Sequence, residues 1–452
     1  MFVFRVCGVA ALGGLLFGYD TAVIAGAIGP LQEHFHLSAA MKGWAAACAL
    51  FGCVLGVSLA GVLGDRAGRK QTQLLSAILF FLSAIGTALA VQFAAFIVFR
   101  ILGGVGVGIA SMTAPMYIAE ISPARLRGRL VSVNQLAVVS GILVIYFVNY
   151  LIALGGDAAW NATVGWRWMF ASGAVPSGLF FLLLLHVPES PRWLVERNRI
   201  ATAHDVLVRL GGESFAAQEL HAICESVATE RQRSVRRFGP ELRPVLWLGL
   251  TLAVLQQATG INVFLYYAPE IFKQLGAVND LALLQTIVVG GVNLMATLLA
   301  IGTVDRWGRR PLMIGGASGM GGCLLTMGLV LQFQGMAGWV LLLLLGYVAC
   351  FALSVGPVTW VILSEIFPNN VRSVAMSLAT FALWTANFLV SQTFPMMDES
   401  PWLTERFHHG FPFYVYGSLC IVLVVVTWLG VPETKGRSLE EIERFWTKRT
   451  HP

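Results

Sequence analysis

Twelve apolar stretches, each about as long as a bilayer is thick, make up most of this chain. A hydrocarbon core about 30 Å thick takes roughly 20 apolar residues per helix. The first six stretches fall at about 7–29, 44–63, 73–91, 94–113, 131–153 and 168–187. The second six fall at about 245–271, 282–303, 312–332, 338–362, 374–396 and 413–431. Only 12% of the 452 residues are charged, against about 25% in a soluble domain. That supply cannot coat a water-soluble protein of this size. The expected fold class is an all-α polytopic membrane protein. Disorder, a disulfide scaffold and collagen are excluded, and an ordinary cytosolic enzyme nearly so.

A secretory leader is the other reading of the first stretch, which follows Arg5. Asp20 interrupts the run and no small-residue cleavage site follows, so the stretch reads as a permanent span. Lysine and arginine set the orientation. With the N-terminus inside, 25 of the 30 basic residues fall on inside segments. Four fall outside (Lys42, Arg167, Lys273 and Arg406), and Arg100 falls within a span. Both termini are therefore expected in the cytoplasm of a bacterial inner membrane. Basic loops also account for the net charge of +6, so no nucleic-acid partner is read from it. The seven cysteines form no Cys-x-x-Cys pair and read as small core residues.

Three motifs occur twice. Gly64-Asp65-Arg66-Ala67-Gly68-Arg69-Lys70 returns as Val304-Asp305-Arg306-Trp307-Gly308-Arg309-Arg310. Glu120-Ile121-Ser122-Pro123 with Arg127 returns as Glu365-Ile366-Phe367-Pro368 with Arg372, and Pro188-Glu189-Ser190 as Pro432-Glu433-Thr434. The offsets are 240, 245 and 244 residues. The chain therefore reads as two six-span repeats in the same orientation, the build of alternating-access transporters. The expected organisation is a bundle over 1–187, a cytoplasmic linker over 188–243, a second bundle over 244–431 and a tail over 432–452. In the linker, Arg192 to Val195 and Ala203 to Leu210 read as short amphipathic helices, the second stopping at Gly211-Gly212. In the tail, Ser438 with Glu441 reads as a helix start.

Asp20 is the one acid placed well inside a span and Arg100 the one base. At 1.5 Å per residue they lie roughly 15 and 9 Å from the outer ends of their spans, close enough in depth to pair. An ionisable residue inside a span marks function by default. A carboxylate beside a guanidinium stays ionised, and one withdrawn into apolar surroundings takes up a proton. The pair can act as a proton switch; the plainer alternative is a static pair that fixes packing.

Together the repeated motifs, Pro188 to Arg192, Pro432 to Gly436 and Gln256-Gln257-Ala258-Thr259-Gly260-Ile261-Asn262 resemble the sugar porter family of the major facilitator superfamily. The resemblance covers all twelve spans. Phe17-Gly18-Tyr19-Asp20, Tyr266-Tyr267-Ala268-Pro269-Glu270 and Thr393 to Asp398 are most similar to the bacterial D-xylose–proton symporters. It implies that Asp20 couples the proton, with Arg100 as its partner.

A sugar is a ring of hydroxyls with small apolar faces, so its site needs amides and an aromatic platform. Gln256, Gln257 and Asn262 stand around Gly260, a helix breaker, and Tyr266 lies one turn beyond Asn262. For a lone amide, gluing helices together is the plain alternative. The resemblance implies sugar ligands at Gln135, Gln256, Gln257, Asn262 and Trp360, and pocket lining at Phe17, Tyr266, Asn293 and Trp384. It departs at Leu383, where these symporters carry an amide; D-xylose, arabinose and a hexose all stay open.

The repeated acids and bases are expected to form a cytoplasmic gate: Asp65, Arg66, Arg69, Glu120 and Arg127, with Asp305, Arg306, Arg309, Glu365 and Arg372. Topology alone explains the arginines but not the acids. A second departure from the resemblance is Ser373, where the family usually carries glycine, which bears on the turn there. Gly103, Gly104, Gly106 and Gly108 fail the dinucleotide spacing and read as close packing in span 4. The sequon Asn161-Ala162-Thr163 is idle in a bacterial protein, no Walker lysine motif appears, and His408-His409 lacks further ligands.

The expected function is proton-coupled import of a monosaccharide, D-xylose before others, by a protein working as a monomer in the bilayer. No cofactor is expected beyond the proton. A facilitative uniporter is the alternative, opposed by Asp20. A nutrient sensor is more distant, and an enzyme least of all, for want of a nucleophile, metal or phosphate cradle.

Overall fold

The computed structural model describes residues 2–123, 126–232, 242–333, 337–367 and 371–435. Among them the regular elements are helices, and twelve are long and apolar enough to cross a membrane. Spans 1 to 6 are Phe2–Phe35, Ala39–Ala67, Arg69–Ala88, Phe93–Ile121, Arg127–Ala153 and Ala158–Leu185. Spans 7 to 12 are Arg243–Tyr266, Asn279–Thr303, Arg309–Gln332, Gly338–Ile366, Val374–Asp398 and Phe411–Gly430. The protein is an all-α polytopic membrane protein whose two sets of six spans are parallel repeats. Span 1 runs beyond residue 29 to Phe35, with a helix break at Val23.

Span 2 is apolar on one side and closely packed on the other. On span 2, Phe51, Leu55, Leu59 and Val62 are exposed, a face suited to lipid. On its other side, a Cβ at Gly52 would stand 2.2 Å from the Ile101 carbonyl oxygen and 2.9 Å from the Gly104 Cα. Glycines at this seam let spans 2 and 4 meet backbone to backbone. The glycine run of span 4 is thus part of a helix seam.

By its contacts the chain divides into two compact units. Unit 1 takes Met1–Thr21, Gly52–Ile142 and Phe170–Arg236. It includes the linker helices Pro191–Glu196, Ile200–Gly211 and Glu213–Gln232. Trp193, Leu194, Val195, Ala203, Val206 and Val227 make their small core, and Gly212, at φ +87°, stops the second helix. Unit 2 takes Ala22–Phe51, Leu143–Met169 and Arg237–Pro452. It therefore joins spans 7–12 to the ends of spans 1, 2, 5 and 6 that lie away from the basic loops. The proposed tail helix, with Ser438 and Glu441, lies outside the described residues.

Candidate functional site

Unit 1 brings Asp20 and Arg100 together. One guanidinium nitrogen of Arg100 donates to Asp20 Oδ1 at 3.0 Å, and the other to the Asp20 carbonyl oxygen at 3.1 Å. Arg100 is 1% exposed and lies 5.2 Å from the Phe170 ring centroid. Asp20 Oδ2, by contrast, is buried without a hydrogen-bond partner. So are Arg100 Nε and Ser83 Oγ. A Cβ on Gly103 would stand 2.3 Å from Ser83 Oγ and 3.5 Å from Asp20 Oδ2, so these two atoms flank one small space. The pair is fixed through one carboxylate oxygen and leaves the other open.

Unit 2 gathers the amides of span 7. The helix stops at Ala258, Gly260 takes φ +92°, and a short helix resumes over Ile261–Tyr266. A Cβ at Gly260 would lie 2.9 Å from the Tyr416 ring, so both conformation and space require glycine there. The break turns three amides toward one another. Asn262 Nδ2 donates to Gln257 Oε1 at 2.6 Å, and Gln257 Nε2 to Gln256 Oε1 at 3.3 Å. Gln256 Nε2 donates to the Gly356 carbonyl at 3.1 Å. Gly356 directly follows a π-helical turn in span 10, over Phe351–Val355, a local irregularity often found at functional sites. Tyr266, Asn293 and Trp384 are buried in the same unit, and Trp360 is 36% exposed. Leu383 is buried beside Trp384 in sequence. Gln135, exposed, and Phe17, half-buried, lie in unit 1.

The repeated loop motifs fold alike. Gly68 has φ +98° and Gly308 φ +88°. A Cβ would stand 2.3 Å from Glu189 Oε2 at the first and 2.8 Å from Glu433 Oε2 at the second. Each carboxylate caps the next helix, where amides have no partner of their own and the dipole favours an anion. Glu189 accepts the N–H of Arg69 at 3.0 Å and of Lys70 at 3.1 Å. Glu433 accepts those of Arg309 at 3.2 Å and Arg310 at 3.1 Å. Burial pushes the Glu189 carboxyl above its ordinary value, against the pull of these donors. At Glu433 burial also pushes upward, but the backbone donors outweigh it and the carboxyl is held low.

Above these caps, Arg69 bonds Glu120 through Nε and Nη2 at 3.0 Å, and Arg309 Nη2 bonds Glu365 at 3.1 Å. The Ser190 hydroxyl donates to Glu120 as well. Asp65 is mostly exposed, 3.5 Å from Arg69. Arg66 and Arg306 are exposed. Arg127 and Arg372 donate to the helix-end carbonyls of Ala119 and Phe367. Asp305 and Ser373 have side chains outside the described residues. The caps Glu189 and Glu433 were not among the expected gate residues, although their motif repeats at the common offset.

A third group of charges stands in unit 2. Asp398 accepts from Gln274 at 2.7 Å and lies 3.1 Å from His409 Nδ1. The bond to that carboxylate raises the His409 imidazole above its ordinary value, burial opposing it. No cluster of three or more potential metal ligands is found among the described residues.

The family profile described as "Sugar (and other) transporter" matches residues 6–446. The chain belongs to this sugar transporter family. It is 46% identical to the D-xylose-proton symporter of Escherichia coli K12, over 99% of this chain and 96% of that one. It is 41% identical to the glucose facilitated diffusion protein of Zymomonas mobilis, over 98% and 97%. A solved structure of the E. coli xylose transporter in an inward-open conformation matches with TM-score 0.87 at 43% identity. That match covers 98% of this chain and all of the other. The family's fold is the one found here, with twelve helices in two repeats.

Proposed function

We propose that this protein imports a monosaccharide together with a proton, D-xylose before others, by alternating access of the repeats 1–187 and 244–431. The Asp20–Arg100 pair carries the reading. Arg100 holds Oδ1 and the backbone carbonyl, and Oδ2 is the atom left to take a proton. Protonation removes the charge that holds the guanidinium, so proton uptake loosens spans 1 and 4. The sugar is bound by Gln256, Gln257 and Asn262, whose amides bond one another and can exchange those bonds for sugar hydroxyls. Tyr266, Asn293, Trp360 and Trp384 line the site, and Gln135 and Phe17 keep the assignment given by the resemblance. Asp65, Arg66, Arg69, Glu120 and Arg127, with Asp305, Arg306, Arg309, Glu365 and Arg372, form the gate at the cytoplasmic side. The protein works as a monomer in the bacterial inner membrane; the basic loops support an orientation with both termini inside.

The similarity to a facilitated diffusion protein favours a second reading, uniport. Uptake by proteoliposomes of labelled xylose, arabinose, glucose and galactose, with and without an imposed pH gradient, decides between them. Accumulation above equilibrium only under the gradient is the result expected of symport. Equilibration at the same level under both conditions is the result of uniport.

A further inference from the structure

In unit 2 one lysine of the first repeat lies between two carboxylates of the second. Lys42, near the start of span 2, is 5% exposed. Its Nζ is 2.9 Å from Glu399 Oε1, just past span 11, and 3.6 Å from Glu270 Oε2. Glu270 sits on the short helix Ala268–Gln274 and also accepts from Lys273 at 3.0 Å. Neighbouring contacts join the same repeats. Gln392 Nε2 donates to the Ala40 carbonyl at 3.0 Å, and Trp44 meets Phe388 edge-on at 5.7 Å. The Tyr146 hydroxyl donates to the Leu265 carbonyl at 2.6 Å. Among the described ion pairs, those of Arg69, Arg100 and Arg309 each stay within one repeat, whereas those of Lys42 cross.

Lysine is almost never buried unless paired. Desolvation offsets most of what a buried pair gains by attraction, so such a pair stabilises a permanent contact little better than apolar packing. It suits a contact that must open. When water reaches the four charges the desolvation cost is recovered, which an apolar seal cannot match. Breaking the set one-sidedly is another matter: without Lys42, Glu270 keeps Lys273 but Glu399 loses its cation beside another carboxylate.

We propose that Lys42, Glu270 and Glu399 form an ionic latch that closes the transporter's outer face and sets its balance between shut and open. The proposal rests on the transport reading and on the orientation given by the basic loops. Lys42 is its centre, one cation shared by two carboxylates of the opposite repeat, and Lys273 keeps Glu270 in place.

Hydrogen–deuterium exchange of the full chain in lipid nanodiscs, without sugar, reads this opening without requiring transport. Lys42→Met should raise exchange over residues 24–35 and 268–274 on the order of tenfold, with span 9 unchanged. Adding Glu399→Gln to Lys42→Met removes the stranded charge, leaves Glu270 paired with Lys273, and should bring exchange back to the unmodified level or below. Lys42→Arg should keep the latch. Should Lys42→Met fail to fold, Glu399→Gln carries the test, with a smaller rise in the same segments. Unchanged exchange in the single variants, an equal rise in the double variant, or a rise spread evenly over span 9 overturns the latch. Sugar counterflow by the unmodified protein tests the transport reading separately. Its absence defeats that reading and leaves the exchange result standing.

Discussion

Gly68→Ala should destabilise the protein sharply, although alanine favours helices at both flanks. Gly68 has φ +98° and ψ 163°, a region essentially closed to side chains, and forcing alanine there costs about 1–3 kcal/mol. The new Cβ would also stand 2.3 Å from Glu189 Oε2. The carboxylate must retreat from the amides of Arg69 and Lys70, at about 1–3 kcal/mol for weakening bonds to a charged acceptor. The two effects together come to roughly 2–6 kcal/mol. Gly64→Ala, four residues earlier, is the control. It lies inside a helix, its nearest neighbour is Met116 Cε at 3.6 Å, and alanine there should stabilise by about 0.5–1 kcal/mol. Thermal unfolding followed by tryptophan fluorescence in detergent reads both. Combining Gly68→Ala with Glu189→Ala should cost less than the two single losses added, since the clash is removed. Equal melting of the Gly68→Ala and Gly64→Ala proteins would refute the reasoning.

Glu120→Gln with Glu365→Gln takes the anions from Arg69 and Arg309, each bond being worth about 1.5–3 kcal/mol. Sided accessibility labelling should then report more inward-facing protein, and an unchanged ratio counts against the gate. His409 is tied to Asp398, which raises its imidazole above 6.5. A raised histidine contributes stability that is complete below its unfolded value and fades as pH climbs through the folded one. His409→Gln should therefore lower the melting temperature under acid conditions and leave it alone in alkali; a difference that persists in alkali contradicts this.

Much of the site was legible because membrane burial makes polar residues conspicuous. Twelve apolar runs gave twelve spans, and the acid and base placed well inside them, Asp20 and Arg100, proved to be 3.0 Å apart. Gly260 among amides marked the break of span 7, since a glycine there relieves both backbone and contact. Less legible were features that depend on what a residue meets in space. Pro188-Glu189-Ser190 was visible as a repeat, but only the chain path brings Glu189 under Gly68 to cap span 3. Lys42 looked like a stray outside charge because its partners lie more than two hundred residues away. The Phe351–Val355 π turn left no trace, as hydrophobicity is blind to a one-residue change in helix register.

The account's central claim is that sugar and proton move together through Asp20. A pH electrode in a weakly buffered suspension of proteoliposomes tests it directly. Adding the transported sugar outside, with no other gradient, should make the medium alkaline as protons enter with it. Asp20→Asn should abolish that alkalinisation while sugar counterflow continues. Sugar entry without alkalinisation in the unmodified protein, or full alkalinisation in the Asp20→Asn variant, would contradict the claim.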